Sequence, residues 1–465
     1  MAKQKVLLEF PADGGHQPFK HNADAVASTV EATRQVTPFL DSLAGLGVEL
    51  DEVAAPVPML IGPEGGGPPL VLERLRDAAP SDLSDARIAL DTNLVANTMV
   101  VPAEVSFGAI EELRSRAGVT VWPNSELTLY DDVLDDARSD SGVDCRPFRP
   151  AVEIAVLRDL LAVRTLWVEG FRGQNVVVGI IDEGVNGAAY PVIGGFSRPE
   201  SALQPGAALV TSHGSMCAAD VLVAAPHCRI YDYPFLGVPR SGGALQMFQA
   251  VLNQRSIDGT PHVVSNSYGF VGVPTLADFP DHEVHNLNHP LHRKVREVVA
   301  AGVTCLFAAG NCGESCPSQS CHISGIGPGR SIHASNSLVE VITVAAVNSR
   351  HERIGYSSQG PGMFEPQKPD VASYSHFFGN FGPGRPAGGT DFDSGTSAAT
   401  PVAAGVAALL LSAMPGLTPA AIKTAMMGSA TNLGRTIGWD RDTGHGVLNA
   451  AAAYRYLRDG PALVA

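Results

Sequence analysis

VVVGIIDEGV, residues 176–185, sets an unbroken run of mostly β-branched apolar residues directly against Asp182 and Gly184. Six such residues are too few for a buried helix, and the run does not alternate with polar positions, so it reads as a strand covered on both faces. HVVSNS (262–267), VTCLFAA (303–309) and VITVAAV (341–347) repeat the texture, with helical apolar spacing at 243–254 and 291–301 between them. The alternation predicts an α/β domain: a doubly wound, mostly parallel sheet with helices on both faces. Asp182 then falls at the carboxyl end of a strand, where open parallel sheets collect their ligands.

Working outward, 465 residues suffice for one large domain and a smaller one, because single cores stop growing near ~250 to 300 residues. The formal net charge of −15 and the lack of any basic stripe exclude a nucleic-acid footprint. Near the N-terminus the apolar run Val6–Leu8 is cut by Glu9, too short for a secretory h-region. The charge-free stretch 394–422 is strongly apolar only as far as Pro415, and no membrane span is expected. Seven cysteines, an odd number in a long chain, fit a reducing compartment, and the expectation is a cytoplasmic protein.

Before the α/β pattern begins, KVLLEF (5–10) reads as a strand and residues 26–46 as a helix. IGPEGGGPPL (61–70) reads as a linker. RIALDTN, NTMVVPAEV, FGAIEELRSRAG and VTVWPN then predict strand, strand, helix, strand over 86–129, a small α+β unit. The expected division is an N-terminal α+β region over 1–130, an exposed charged linker over 131–160, and the large domain over 161–465.

The remaining chemistry-bearing segments follow in order. SHGSMCAAD brings His213 to the start of an Ala- and Val-rich helix, with Cys217 one turn on. FAAGNCG puts Asn311 after a buried strand, and SGTSAATP puts Ser397 at the head of a long apolar helix, where helix-end N–H groups can stabilise negative charge. Pro401 is read as lying in the first helical turn, where its missing N–H costs nothing. Each residue alone has a bland reading: a turn Asp, a polar helix-end His, an N-cap Ser.

Together, VVVGIIDEGV, SHGSMCAAD, FAAGNCG and SGTSAATP resemble the Asp, His, Asn and Ser blocks of the subtilisin-like serine peptidases, in that family's order. LWVEGFRGQNVVV (166–178), VVSNSYG (263–269) and GHGVLNAAAAY (444–454) extend the resemblance over roughly residues 165–455. It implies a serine endopeptidase with Ser397 as nucleophile, His213 as base, Asp182 as the carboxylate orienting it, and Asn311 as oxyanion donor. It also implies that Ser267, Tyr268, Gly269, Ala309 and Gly310 bind a protein or peptide substrate in extended form. No cofactor is implied for catalysis. The family often carries structural calcium, which no Asp-rich loop here places. The unit over 86–130 resembles an inhibitory prodomain, with cleavage expected in 131–149; a permanent accessory domain is the other reading. An intracellular member fits processing or maturation of a dedicated substrate.

Three departures qualify the resemblance. Glu183 stands where the family has Thr or Ser and, facing inward, is expected to raise the pKa of His213. The His block differs in detail, and Ala398 replaces a common Met. Cys312, Cys316, Cys321 and His322 lie in an insertion-like loop after Asn311, where a zinc set, a disulfide and free thiols all stay open. His282, His285, His289 and His292 lack the zinc-protease spacing and read as a solvated loop or helix start. The alternative function is a catalytically silent binding protein on the same fold.

Overall fold

The structure is a computed structural model; it describes residues 3–12, 16–19, 25–43, 45–50, 55–63, 94–116, 118–130, 143–145, 151–197, 203–235, 238–379, 392–434 and 437–460. The chain forms two units, one of Met1–Glu126, Val238–Thr260 and Thr275–Gly302, the other of Leu127–Gly237, Pro261–Pro274 and Val303–Ala465.

In the first unit Lys3–Pro11 lies between Thr98–Ser106 and Thr120–Pro123, and Val48–Leu50 and Val57–Met59 also pair with Thr98–Ser106, all antiparallel. The period of two along the first strand sorts its side chains into two cores. Val6 and Leu8 join Val105 and Leu113, while Leu7 joins Met59, Trp122 and Leu245. Both faces are therefore covered, and helix Ser241–Asp258 belongs to this unit through Leu245. Helix Pro290–Ala300 belongs to it through Arg293, which donates to Glu9 Oε2 at 2.6 Å, and through Lys294, which donates to the Pro58 carbonyl at 2.6 Å. The helices expected at 26–46 and in FGAIEELRSRAG span Ala25–Ser42 and Phe107–Ser115. RIALDTN and the glycine-rich part of 61–70 lie outside the described residues.

Among the described residues the large sheet of the second unit has seven parallel strands: β1 Val177–Asp182, β2 Val192–Gly195, β3 Arg229–Pro234, β4 Val263–Asn266, β5 Thr304–Ala308, β6 Ile342–Val347 and β7 Val371–Tyr374, in the order β7-β6-β5-β4-β1-β3-β2. The four strands expected from the sequence are β1, β4, β5 and β6. The other three were hidden by composition: glycines in VIGG, a buried Asp232 inside RIYDYP, and a proline just ahead of VASY.

Helices α1 (His213–Ala224) and α2 (Gly395–Ala413) supply much of the core. By length and composition α2 could cross a bilayer, yet 89% of its apolar window is buried inside the protein. It is the core helix of the unit. The expected linker over 131–160 is structured where it is described: Ile154–Leu160 is helical, and Cys145 and Leu157 are buried.

Candidate active site

β1 ends on Asp182, which is 1% exposed, and α1 begins on His213 under an N-cap in which Ser212 accepts from the Ser215 N–H. These two element ends bring His213 Nδ1 to 2.8 and 3.0 Å from the Asp182 carboxylate oxygens. A carboxylate only accepts, so the proton sits on Nδ1 and Nε2 is left as the basic nitrogen. Glu183 faces this region through the main chain: its carboxylate accepts from the His213 backbone N–H. An anion there also complements the positive end of α1.

Cys217, one turn into α1, has its Sγ 3.8 Å from Asp182 Oδ2 and 3.6 Å from the Ser397 carbonyl. Burial, and then the nearby Asp182 charge, push its thiol well above the usual range. The ligand atoms of Asp182, His213 and Cys217 lie within 4.8 Å of one another.

Ser397 is the third residue of α2. Pro401 is not in the first turn as expected but is its seventh residue, where an N–H would have met the Ser397 carbonyl four residues back. That carbonyl is approached instead by the Ser267 hydroxyl at 3.4 Å and the Cys217 thiol at 3.6 Å. With no N–H at Pro401, the Ser397 carbonyl is tied to Ser267, just past β4, and to Cys217 of α1 rather than to its own next turn.

Asn311 follows β5 and is 1% exposed. Its Oδ1 accepts from the Thr396 N–H at 2.9 Å and from the Thr396 hydroxyl at 3.0 Å. A backbone N–H can only donate, so Oδ1 must face Thr396 and Nδ2 must face the other way. Thr396 Oγ1 also accepts from the Gly310 N–H at 3.1 Å.

What Nδ2 meets is the chain itself. The Tyr130 carbonyl accepts from Asn311 Nδ2 at 3.0 Å and from Ser397 Oγ at 2.9 Å. The segment leading to it is extended: Leu129 and Thr128 pair antiparallel with Tyr268 and Gly269, and the Tyr130 N–H donates to the Ser267 carbonyl at 3.1 Å. Leu127 and Tyr130 are both 5% exposed, and burial pushes the Tyr130 phenol upward. An extended peptide with one carbonyl against a serine hydroxyl and an amide donor has the arrangement of an acyl-transfer substrate. The sequence expectations for Ser267, Tyr268, Gly269 and Gly310 thus meet in one cleft; Ala309 stands beside it, its N–H donating to the Val344 carbonyl at 2.9 Å. Tyr130 and Thr396 were not singled out, although LTLY alternates like a strand just before Asp131.

The zinc reading of the cysteine loop is corrected. Cys312 pairs with Cys321 and Cys316 with Cys145, so none of the three offers a thiolate. Cys145 lies 171 residues before its partner, a pairing that the loop's own spacing cannot reveal. Cys217, Cys228 and Cys305 are free and buried. The histidine-rich segment, in the first unit, leads into a helix start and is solvated only in part, with His282 and His285 half-buried. His289 caps Pro290–Ala300, and His289, His292 and Glu283 are fully buried. The Glu283 backbone carbonyl lies 2.7 Å from His292 Nε2, and its carboxylate accepts from Ser241 Oγ at 2.6 Å and Ser125 Oγ at 2.8 Å.

Comparison with known proteins adds three findings. The sequence pattern described as the subtilase family matches residues 173–446. Subtilisin DY of Bacillus licheniformis is 29% identical over 305 residues, covering 63% of this chain and 96% of that protein. Subtilisin E of Bacillus subtilis (strain 168) is 27% identical, covering 61% and 67%. Among solved structures, fervidolysin from Fervidobacterium pennivorans, a keratinolytic enzyme related to subtilisin, matches with a TM-score of 0.55 at 18% identity, over 98% of this chain and 61% of its own.

Proposed function

This chain belongs to the subtilase family, and from that premise we propose that it is a serine endopeptidase working through Ser397, His213 and Asp182, with Asn311 as oxyanion donor. The carrying observation is the Tyr130 carbonyl held between Ser397 Oγ and Asn311 Nδ2.

In this mechanism Ser397 Oγ attacks the carbonyl carbon while His213 Nε2 takes its proton, and Asp182 stabilises the imidazolium. The carbonyl oxygen becomes an oxyanion facing Asn311 Nδ2. The C–N bond then breaks, the leaving amine takes the proton from His213, and an acyl-Ser397 ester remains. Water, deprotonated by the same imidazole, hydrolyses the ester to a carboxylate and regenerates Ser397. No cofactor enters any step.

The same observation supports reading residues 1–130 as a prodomain, with the Tyr130–Asp131 bond as the chain's own first substrate. Hydrolysis leaves a carboxylate on Tyr130 and a new amino terminus on Asp131. A dedicated processing role remains our reading of its biology. The cysteine count no longer argues for a reducing compartment, since four of the seven cysteines pair. A serine-directed fluorophosphonate should label the processed wild type and not Ser397→Ala; a folded wild type that resists the label speaks against catalysis and for a silent binding protein.

A further inference from the structure

The first N–H groups of a helix have no partner inside it and must be met from outside. At the head of α2 the N-cap Ser394 makes no side-chain cap bond, and Gly395, the buried first residue, holds a φ of +80°. Its N–H donates to the phenol oxygen of Tyr356 at 2.8 Å, while the next N–H, on Thr396, goes to Asn311. Two side chains from elsewhere in the second unit thus hold the two residues before Ser397. The mechanism uses Asn311 but not Tyr356.

Behind Tyr356 stands a second aspartate–histidine pair. The phenol oxygen lies 3.0 Å from His376 Nε2 and 3.1 Å from Ser375 Oγ, both just past β7. His376 is fully buried, and its Nδ1 lies 3.5 Å from Asp144 Oδ2, a charge contact rather than a full hydrogen bond. Asn348 Nδ2 donates to the same oxygen at 3.0 Å and keeps the carboxylate in place. A carboxylate draws the imidazole proton to the nitrogen facing it, so Nε2 is the acceptor. Burial pushes the Tyr356 phenol upward and keeps it protonated, and its hydrogen goes to His376. The phenol oxygen is then left as the acceptor for the Gly395 N–H and the Ser375 hydroxyl. His376 grips the same helix head through its backbone, its N–H donating to the Asp393 carbonyl at 3.0 Å. Its φ of +61° is one that residues other than glycine rarely hold. A buried imidazole kept there against its preference points to a role beyond filling space.

We propose that Asp144, His376 and Tyr356 are positioning residues for the nucleophile, a buried hydrogen-bonding chain that fixes the acceptor on the Gly395 N–H and through it the place of Thr396 and Ser397. The proposal rests on the endopeptidase reading and deepens it. No member touches substrate, and no proton leaves the chain during turnover. Because Thr396 also orients Asn311, loosening Gly395 displaces nucleophile and oxyanion donor together, and the loss falls on kcat. Asp144 lies after the Tyr130–Asp131 bond and stays with the processed chain.

The test measures cleavage of the octapeptide of residues 127–134 by the purified enzyme, per active site titrated with fluorophosphonate, beside the melting temperature of each variant. Tyr356→Phe should lower kcat by about 10-fold, the size of one lost hydrogen bond, with KM little changed. His376→Asn leaves the phenol on Gly395 and suits a left-handed backbone, but withdraws the acceptor that orients the phenol; kcat should fall by a smaller factor. In Asp144→Asn the new amide can donate to Nδ1, which moves the imidazole proton to Nε2 and sets it against the Gly395 N–H, and kcat should fall likewise. Added to Tyr356→Phe, neither change should lower kcat further, because both act through the phenol. A merely structural role would lower the melting temperature and leave kcat per titrated site unchanged. Wild-type kcat in titrated Tyr356→Phe, or additive losses in the double variants, overturns the chain while leaving the peptidase intact. Should Tyr356→Phe fail to fold, wild-type kcat in both His376→Asn and Asp144→Asn overturns it instead. A wild type that neither takes the label nor cuts the peptide removes the endopeptidase reading and the proposal with it.

Discussion

Asn311 is useful only if its amide faces the right way, and Thr396 is what turns it. Two donors from Thr396 hold Oδ1, leaving Nδ2 for the Tyr130 carbonyl. Replacing Asn311 with Ala should lower kcat by about 100 to 1,000-fold with a smaller change in KM, because the bond strengthens as the oxyanion forms. Thr396→Val keeps the N–H but removes the hydroxyl that serves both Asn311 and Gly310, and steady-state kinetics should show a smaller loss, again in kcat. A Thr396→Val enzyme as fast as wild type would mean that the backbone N–H alone orients the amide. Asp182, His213, Asn311 and Ser397 were legible in the sequence because each sits in a short segment at the end of an apolar run. Tyr130 was not, because the contacts made by its main chain carry no side-chain signature.

At the scale of elements, α2 starts on Gly395 with φ of +80°, a left-handed conformation that costs other residues about 1 to 2 kcal/mol. Gly395→Ala should be destabilised by that amount in chemical unfolding, with a matching displacement of Ser397 read as reduced fluorophosphonate labelling. Helix Pro290–Ala300 makes a different prediction. Burial lowers the pKa of His282 and His289, and that of His292 to about 3, while His282 and His289 hold Glu283 below the carboxylate range against its burial. A histidine neutral in the folded state contributes stability above its unfolded pKa, near 6.5, and loses it as pH falls toward the folded value. The lowered carboxylate pKa acts in the same direction at lower pH. Hydrogen exchange should therefore show 290–300 losing protection between about pH 6.5 and 5, ahead of the strands of the parallel sheet; protection independent of pH in that window contradicts the assignment. The sequence announced this helix by its apolar spacing. It did not announce that Glu283, His289 and His292 would be buried, because partners of that cluster such as Ser125 and Ser241 lie far away along the chain.

For the whole molecule, the two units are the least legible feature. Helices 241–258 and 290–300 lie within the sequence of the α/β domain yet pack with the N-terminal strands, since their burial is decided by partners such as Leu7 and Glu9 more than two hundred residues earlier. The Cys145–Cys316 bond is long-range in the same sense, joining residues 171 apart. Chain-entropy arguments give a link of this span about 2 to 5 kcal/mol. Cys145→Ser should lower the unfolding free energy by that amount under non-reducing conditions, and reductant should erase the difference between variant and wild type. The central claim, that the Tyr130–Asp131 bond lies across a working serine nucleophile, is tested most directly by intact mass of purified wild type beside Ser397→Ala. The account predicts a wild-type chain beginning at Asp131 and a full-length variant; two full-length chains, or two chains cut alike, would contradict it.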